Sequence, residues 1–136
     1  MILVSACLLG VSCRYDGNSA ASRRLVLSLA DQSCLAVCPE VLGGLSIPRS
    51  PARIFGGDGM RVLDGAAFVR SDKDVDVTAQ FVDGAKRTLD LALRFRVTAC
   101  YLKSRSPSCG CKSYPERPVG VTAALLMHRG FPVMEM

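Results

Sequence analysis

Short apolar runs separated by helix-period stretches constrain this chain more than any other feature. Residues 2–6, 35–37, 97–102 and 131–136 are compact apolar or β-rich segments of strand length. Ser19 to Leu29 reads as a helix, with Asn18 or Ser19 as its cap and Leu25, Val26 and Leu29 apolar. Thr78 opens the strongest helix, whose stripe is Phe81, Ala85, Leu89 and Leu93 together with Val82, Ala92 and Phe95. Val119 to Arg129 is a third helix, with Gly130 placed to end it.

The stretch 41–71 has a different character. Gly43, Gly44, Pro48, Pro51, Gly56, Gly57 and Gly59 punctuate it around strand-like pieces at Ala52–Phe55 and Met60–Leu63. It predicts a loop with an irregular hairpin. The order βαβ, loop, αβαβ then predicts one small three-layer, Rossmann-like α/β domain over residues 1–136, with a mostly parallel sheet and a loop or hairpin insertion. The chain is long enough to bury a core without disulfide support.

Three of the seven cysteines stand just past these strands: Cys7 after the first, Cys38 after the second, Cys109 in the loop after the third. Parallel strands bring such residues to one sheet edge, where open α/β folds place their sites. Thiols gathered from three distant segments point to a metal or cluster site rather than a disulfide framework, although each could equally be a buried core thiol. The odd count and an N-terminus without a basic leader region also predict free thiols in a reducing cytoplasm. No apolar run approaches the roughly 18–20 residues of a membrane span.

Cys13 follows Cys7 closely and is a further candidate ligand, and Cys111 is either a spare thiol or a neighbour of the site. Cys34 and Cys100 read as small buried hydrophobes. There is no Cys-x-x-Cys knuckle, and His128 is the single histidine, placed on a surface helix end. Structural zinc prefers four closely paired nitrogen or sulfur ligands. An iron–sulfur cluster accepts ligands from dispersed loops, and three cysteines leave one iron open to act as a Lewis acid.

Glu40 lies two residues past Cys38, and Ser106 and Ser108 crowd Cys109. These are candidate acid–base and hydroxyl groups, or simply a helix N-terminal acid and turn serines. Lys103 is either an anion contact or an exposed lysine. The net charge of +5 is compatible with an anionic partner, but the basic residues look scattered, without interleaved aromatics, and read as a solvated surface.

Three ordered segments carry a resemblance. They are Ser5-Ala6-Cys7-Leu8-Leu9-Gly10 with Cys13-Arg14-Tyr15-Asp16-Gly17; Cys38-Pro39-Glu40 with Gly43-Gly44-Leu45 and Pro48-Arg49; and Lys103 with Ser106-Pro107-Ser108-Cys109-Gly110. Together they resemble the thiouracil desulfurase (TudS-like) family. The resemblance implies a [4Fe-4S] cluster on Cys7, Cys38 and Cys109, and non-redox removal of sulfur from small thiolated pyrimidines. It also implies Glu40 as acid–base residue and Ser106 as its hydroxyl partner, with Ser108 the second choice. Cys13 is then either unligated or a fourth ligand that would close the open iron. The alternatives are desulfuration of thiolated nucleotides in tRNA, and a non-catalytic cluster- or zinc-binding module. Arg14, Asp16 and Arg49 are expected to organise loops through an ion pair.

Overall fold

The computed structural model describes residues 1–136. Strands β1 (Ile2–Ser5), β2 (Cys34–Val37), β5 (Ala99–Leu102) and β6 (Val133–Glu135) form one parallel sheet in the order β2-β1-β5-β6. Val4 of β1 pairs with Ala36 on one side and Tyr101 on the other. Successive strand residues point to opposite faces, and the chain uses both. Leu3, Val37, Cys100 and Leu102 join the core formed with Leu89, Ala92 and Leu126. Val4 faces the other way, into a core with Leu8, Leu25 and Leu29. The result is three layers, with α4 (Thr78–Arg94) and α5 (Val121–His128) on one face. A 3-10 turn (Ala6–Leu9) and the short α1 (Arg23–Ser28) cover the other.

Several elements differ from the sequence expectation, each for a local reason. Helix α1 begins only at Arg23, capped by the Ser22 hydroxyl, because Ala20 and Ser22 donate to the carbonyls of Cys7 and Leu8 and so hold the preceding residues out of the helix. Met60–Leu63 is not a strand. Asp58 caps a helix there, α3 (Gly59–Leu63), by accepting from the Arg61 N–H at 3.1 Å. The hairpin partner of β3 (Ala52–Phe55) is instead β4 (Phe68–Ser71), paired antiparallel with Phe55 opposite Phe68. Within α4 the buried face is Phe81, Gly84, Ala85, Thr88, Leu89 and Ala92, while Leu93 and Phe95 are exposed. Steps of four residues drift by about 40° each around a helix of 3.6 residues per turn, which carries Leu93 off the face begun by Phe81.

The end of α5 follows expectation. Gly130 is left-handed at φ 86°, and the N–H groups of Gly130 and Phe131 close on the carbonyls of Met127 and Leu126 at 3.0 Å each, as in a Schellman motif. Cys34, expected to be buried, is exposed on the edge strand β2, whereas Cys100 is fully buried.

One close approach positions the site. The short α2 (Pro39–Leu42), which carries Glu40, lies on α4 with backbone almost touching backbone. A Cβ on Gly84 would fall on the Pro39 carbonyl, and one on Gly43 would fall on the Gln80 carbonyl. Gly84→Ala is therefore expected to destabilise the protein by about 1–3 kcal/mol, the usual cost of overpacking. A urea-unfolding midpoint equal to that of the parent would show that the two helices can simply separate.

Candidate active site

At the carboxyl ends of the parallel strands lies a cavity of about 330 Å³. It sits where the chain leaves β1 for β2 on one side and β5 lies on the other, the crevice expected of an open α/β sheet. Cys7, Cys13, Cys38 and Cys109 all line it. Cys7 emerges in the 3-10 turn after β1, Cys38 is the residue before α2, and Cys109 follows the Lys103–Ser108 loop after β5. The strand-end convergence read from the sequence is thus present.

The four thiols sense one another. Burial pushes Cys7 up, and the neighbouring Cys38 adds to this, against the opposing charges of Lys103 and Arg14. Burial and then Cys38 push Cys13 up to about 12. Burial also takes Cys109 up to about 12, with Ser5 and Ser108 hydrogen bonds opposing it. Without a bound metal these three thiols stay protonated at neutral pH, and metal binding must displace their protons. The Cys38 thiol donates to the Cys13 carbonyl at 3.7 Å.

Glu40 is the one carboxylate of the cavity wall, and both its oxygens are engaged. Arg49 Nε donates to Oε1 at 3.1 Å, and Ser108 Oγ donates to Oε2 at 3.0 Å. Ser106, the expected partner, does not bond to Glu40 directly. Its Oγ accepts the N–H groups of Ser108 and Cys109 at 3.2 and 3.0 Å, and stands 3.0 Å from Ser108 Oγ. A hydroxyl carries one proton, so the order is Ser106 to Ser108 to Glu40. The reason for the exchange is the turn itself: Ser106 spends its lone pairs on the backbone, and the fully buried Ser108 is the hydroxyl turned toward α2.

This loop is seated on α5. Val121 and Ala123, in the first turn of that helix, donate to the carbonyls of Pro107 and Ser108 at 2.9 and 3.0 Å, so open helix donors hold the serines in place. A Cβ on Gly120 would collide with the Ser108 backbone, which is why the helix can approach so closely.

The basic residues are less scattered than the sequence suggests. Arg14, Arg49, Lys103, Arg105 and Arg117 all line the cavity. Arg14 and Arg105 are sequence neighbours of Cys13 and Ser106, and Lys103 and Arg49 stand in the segments that carry the resemblance; Arg117 had no such signal. Glu135 steadies this wall by accepting the N–H groups of Cys111 and Lys112 and the Tyr114 hydroxyl, the last at 2.7 Å. Arg105 lies over the Tyr114 ring, 4.9 Å from its centroid. Asp16 takes no part in an ion pair; it accepts the Asn18 N–H at 3.0 Å. Cys111 stands beside Glu135, and His128 is exposed on α5, as expected.

The donor set consists of thiols without an imidazole, spaced along a cavity wall rather than closing on one point. Such an arrangement suits a polynuclear iron–sulfur group better than a lone tetrahedral ion. Fold and site together define an α/β enzyme centre built from thiols at strand ends. The chain belongs to the 2-thiouracil desulfurase family, whose model matches residues 2–136. It is 42% identical over 142 residues to the uncharacterized protein YbbK of Bacillus subtilis (strain 168), covering 98% of this chain and 94% of that one. Among solved structures it is similar to the [4Fe-4S]-dependent thiouracil desulfidase TudS. The TM-score is 0.82 at 40% identity, over 98% of this chain and 89% of the other. No helix is long and apolar enough to cross a membrane.

Proposed function

We propose that this protein is a [4Fe-4S]-dependent desulfurase that replaces the thiocarbonyl sulfur of a pyrimidine by oxygen. The observation that carries the reading is one cavity in which strand-end thiols face a half-buried, hydrogen-bonded carboxylate. Cys7, Cys38 and Cys109 hold the cluster in this reading, and Cys13 is a fourth thiol beside Cys38. When bound, the cluster supplies a Lewis-acidic iron for the substrate sulfur.

The chain's own groups do the rest. Glu40 takes a proton from water, and the oxygen so activated adds to the ring carbon that bears sulfur. Ser108 holds Glu40 Oε2 and, with Ser106 behind it, carries a proton toward the ring nitrogen as the carbon–sulfur bond breaks. Thiocarbonyl and water become carbonyl and sulfide with no change in electron count, so the reaction needs no redox partner. The seven free thiols suit a reducing compartment, here the cytoplasm.

Anaerobic purification followed by iron, labile-sulfide and zinc analysis tests the reading, together with sulfide release from 2-thiouracil. Iron and sulfide in equal amounts, with turnover, are expected. One equivalent of zinc and no labile sulfide would replace the enzyme with a structural metal module. The five cations around the cavity favour a second form of substrate, a thiolated nucleotide, free or within tRNA. Sulfide release from 2-thiouracil, its nucleotide and thiolated tRNA, measured side by side at several salt concentrations, separates these.

A further inference from the structure

Arg49 reaches further than its ion pair with Glu40. Its side chain is only 7% exposed, and each guanidinium nitrogen has a different partner. Nε donates to Glu40 Oε1 at 3.1 Å, Nη1 to the Ser46 carbonyl at 3.1 Å, and Nη2 approaches Cys38 Sγ at 4.0 Å. Its backbone N–H donates to the Tyr15 carbonyl at 2.8 Å, which ties it to the turn after Cys13. The other ion pairs, Arg70–Asp74, Arg87–Asp83 and Arg94–Asp90, are exposed contacts four residues apart. Pairs of that kind contribute little. A buried pair loses hydration that its own attraction barely offsets, so stability alone does not account for this one.

We propose that Arg49 is a positioning residue that couples the two halves of the site. One planar fork fixes the carboxylate of Glu40 and places positive charge against the sulfur of Cys38. The inference rests on the proposed function, because it takes Cys38 as a cluster ligand and Glu40 as the base. A cation beside a ligand sulfur draws electron density from the metal centre, which favours its reduced state and raises its potential. The same withdrawal makes an open iron a better acceptor for substrate sulfur. Lysine offers a point charge without the fork and cannot hold both partners at once.

The test uses the cluster-loaded protein and its variants Arg49→Lys, Glu40→Gln and Glu40→Gln/Arg49→Met. In the double variant no carboxylate is left without its arginine, so it isolates the effect of the guanidinium on sulfur. Its midpoint potential, read by visible absorbance in a redox titration, is expected to lie below that of Glu40→Gln. Arg49→Lys is expected to lower kcat by about 10²-fold, the scale of a small misplacement of a reacting group, with KM little changed. Equal potentials in the single and double Glu40 variants, or a wild-type kcat in Arg49→Lys, would overturn the proposal. A parent protein that binds no iron and sulfide would instead overturn the functional reading on which it rests.

Discussion

Glu40→Gln is expected to lose about 10²–10⁴-fold in the rate of sulfide release, the usual contribution of a positioned general base, while iron and labile sulfide stay at parental levels. Glutamine keeps the size of the side chain and an oxygen for the Arg49 N–H, and its amide N–H can donate to the Ser108 hydroxyl, which also accepts, so packing at α2 is preserved and the loss reports on proton transfer. The hydrogen bonds also set the order among the serines. Ser108→Ala removes the direct donor to Glu40 Oε2 and should cost more than Ser106→Ala in kcat. Ser106→Ala instead releases two backbone N–H groups of the turn, at Ser108 and Cys109, and should act through stability and cluster retention. A Glu40→Gln protein that desulfurates at the parental rate would remove the carboxylate from the mechanism.

The second large effect is expected at Cys38. Cys38→Ala should lose iron, labile sulfide and turnover together, and Cys109→Ala should do the same. Cys34→Ala, on an exposed edge strand away from the cavity, should change none of these. The fold itself should survive the loss of Cys38, which is half-buried and contributes little to the core compared with Phe81 or Leu3. Circular dichroism of the cluster-free variant checks this, and full iron content in Cys38→Ala would refute its assignment as a ligand.

What the sequence disclosed and what it withheld divide along physical lines. The strand runs, the long α4 and the convergence of three cysteines were legible, because burial on a parallel sheet leaves near-continuous apolar runs and strand ends are easily located. The short helices were not. Four residues of α2 and five of α3 cannot form a stable helix alone; they exist because neighbours hold them. Pro39 just inside α2, with Glu40 in its first turn, was the local signal for the first, and Asp58 as a cap was the signal for the second. Ser106 and Ser108 are chemically alike and two residues apart, so only the turn geometry could say which one turns toward Glu40. The clustering of Arg49 and Arg117 at the cavity is a tertiary outcome with no periodic trace in the chain.

The pairing of β1 with both β2 and β5 has a bearing on how the protein matures. The Lys103 N–H that donates to Ser5 Oγ comes from 98 residues further along the chain. A nascent polypeptide on the ribosome, however well its first hundred residues settle, therefore has only part of the basin. The cavity is closed only when the loop after β5 has been added. A product that stops short of Ser108 has Cys7, Cys13 and Cys38 but neither the fourth thiol nor the serine that donates to Glu40.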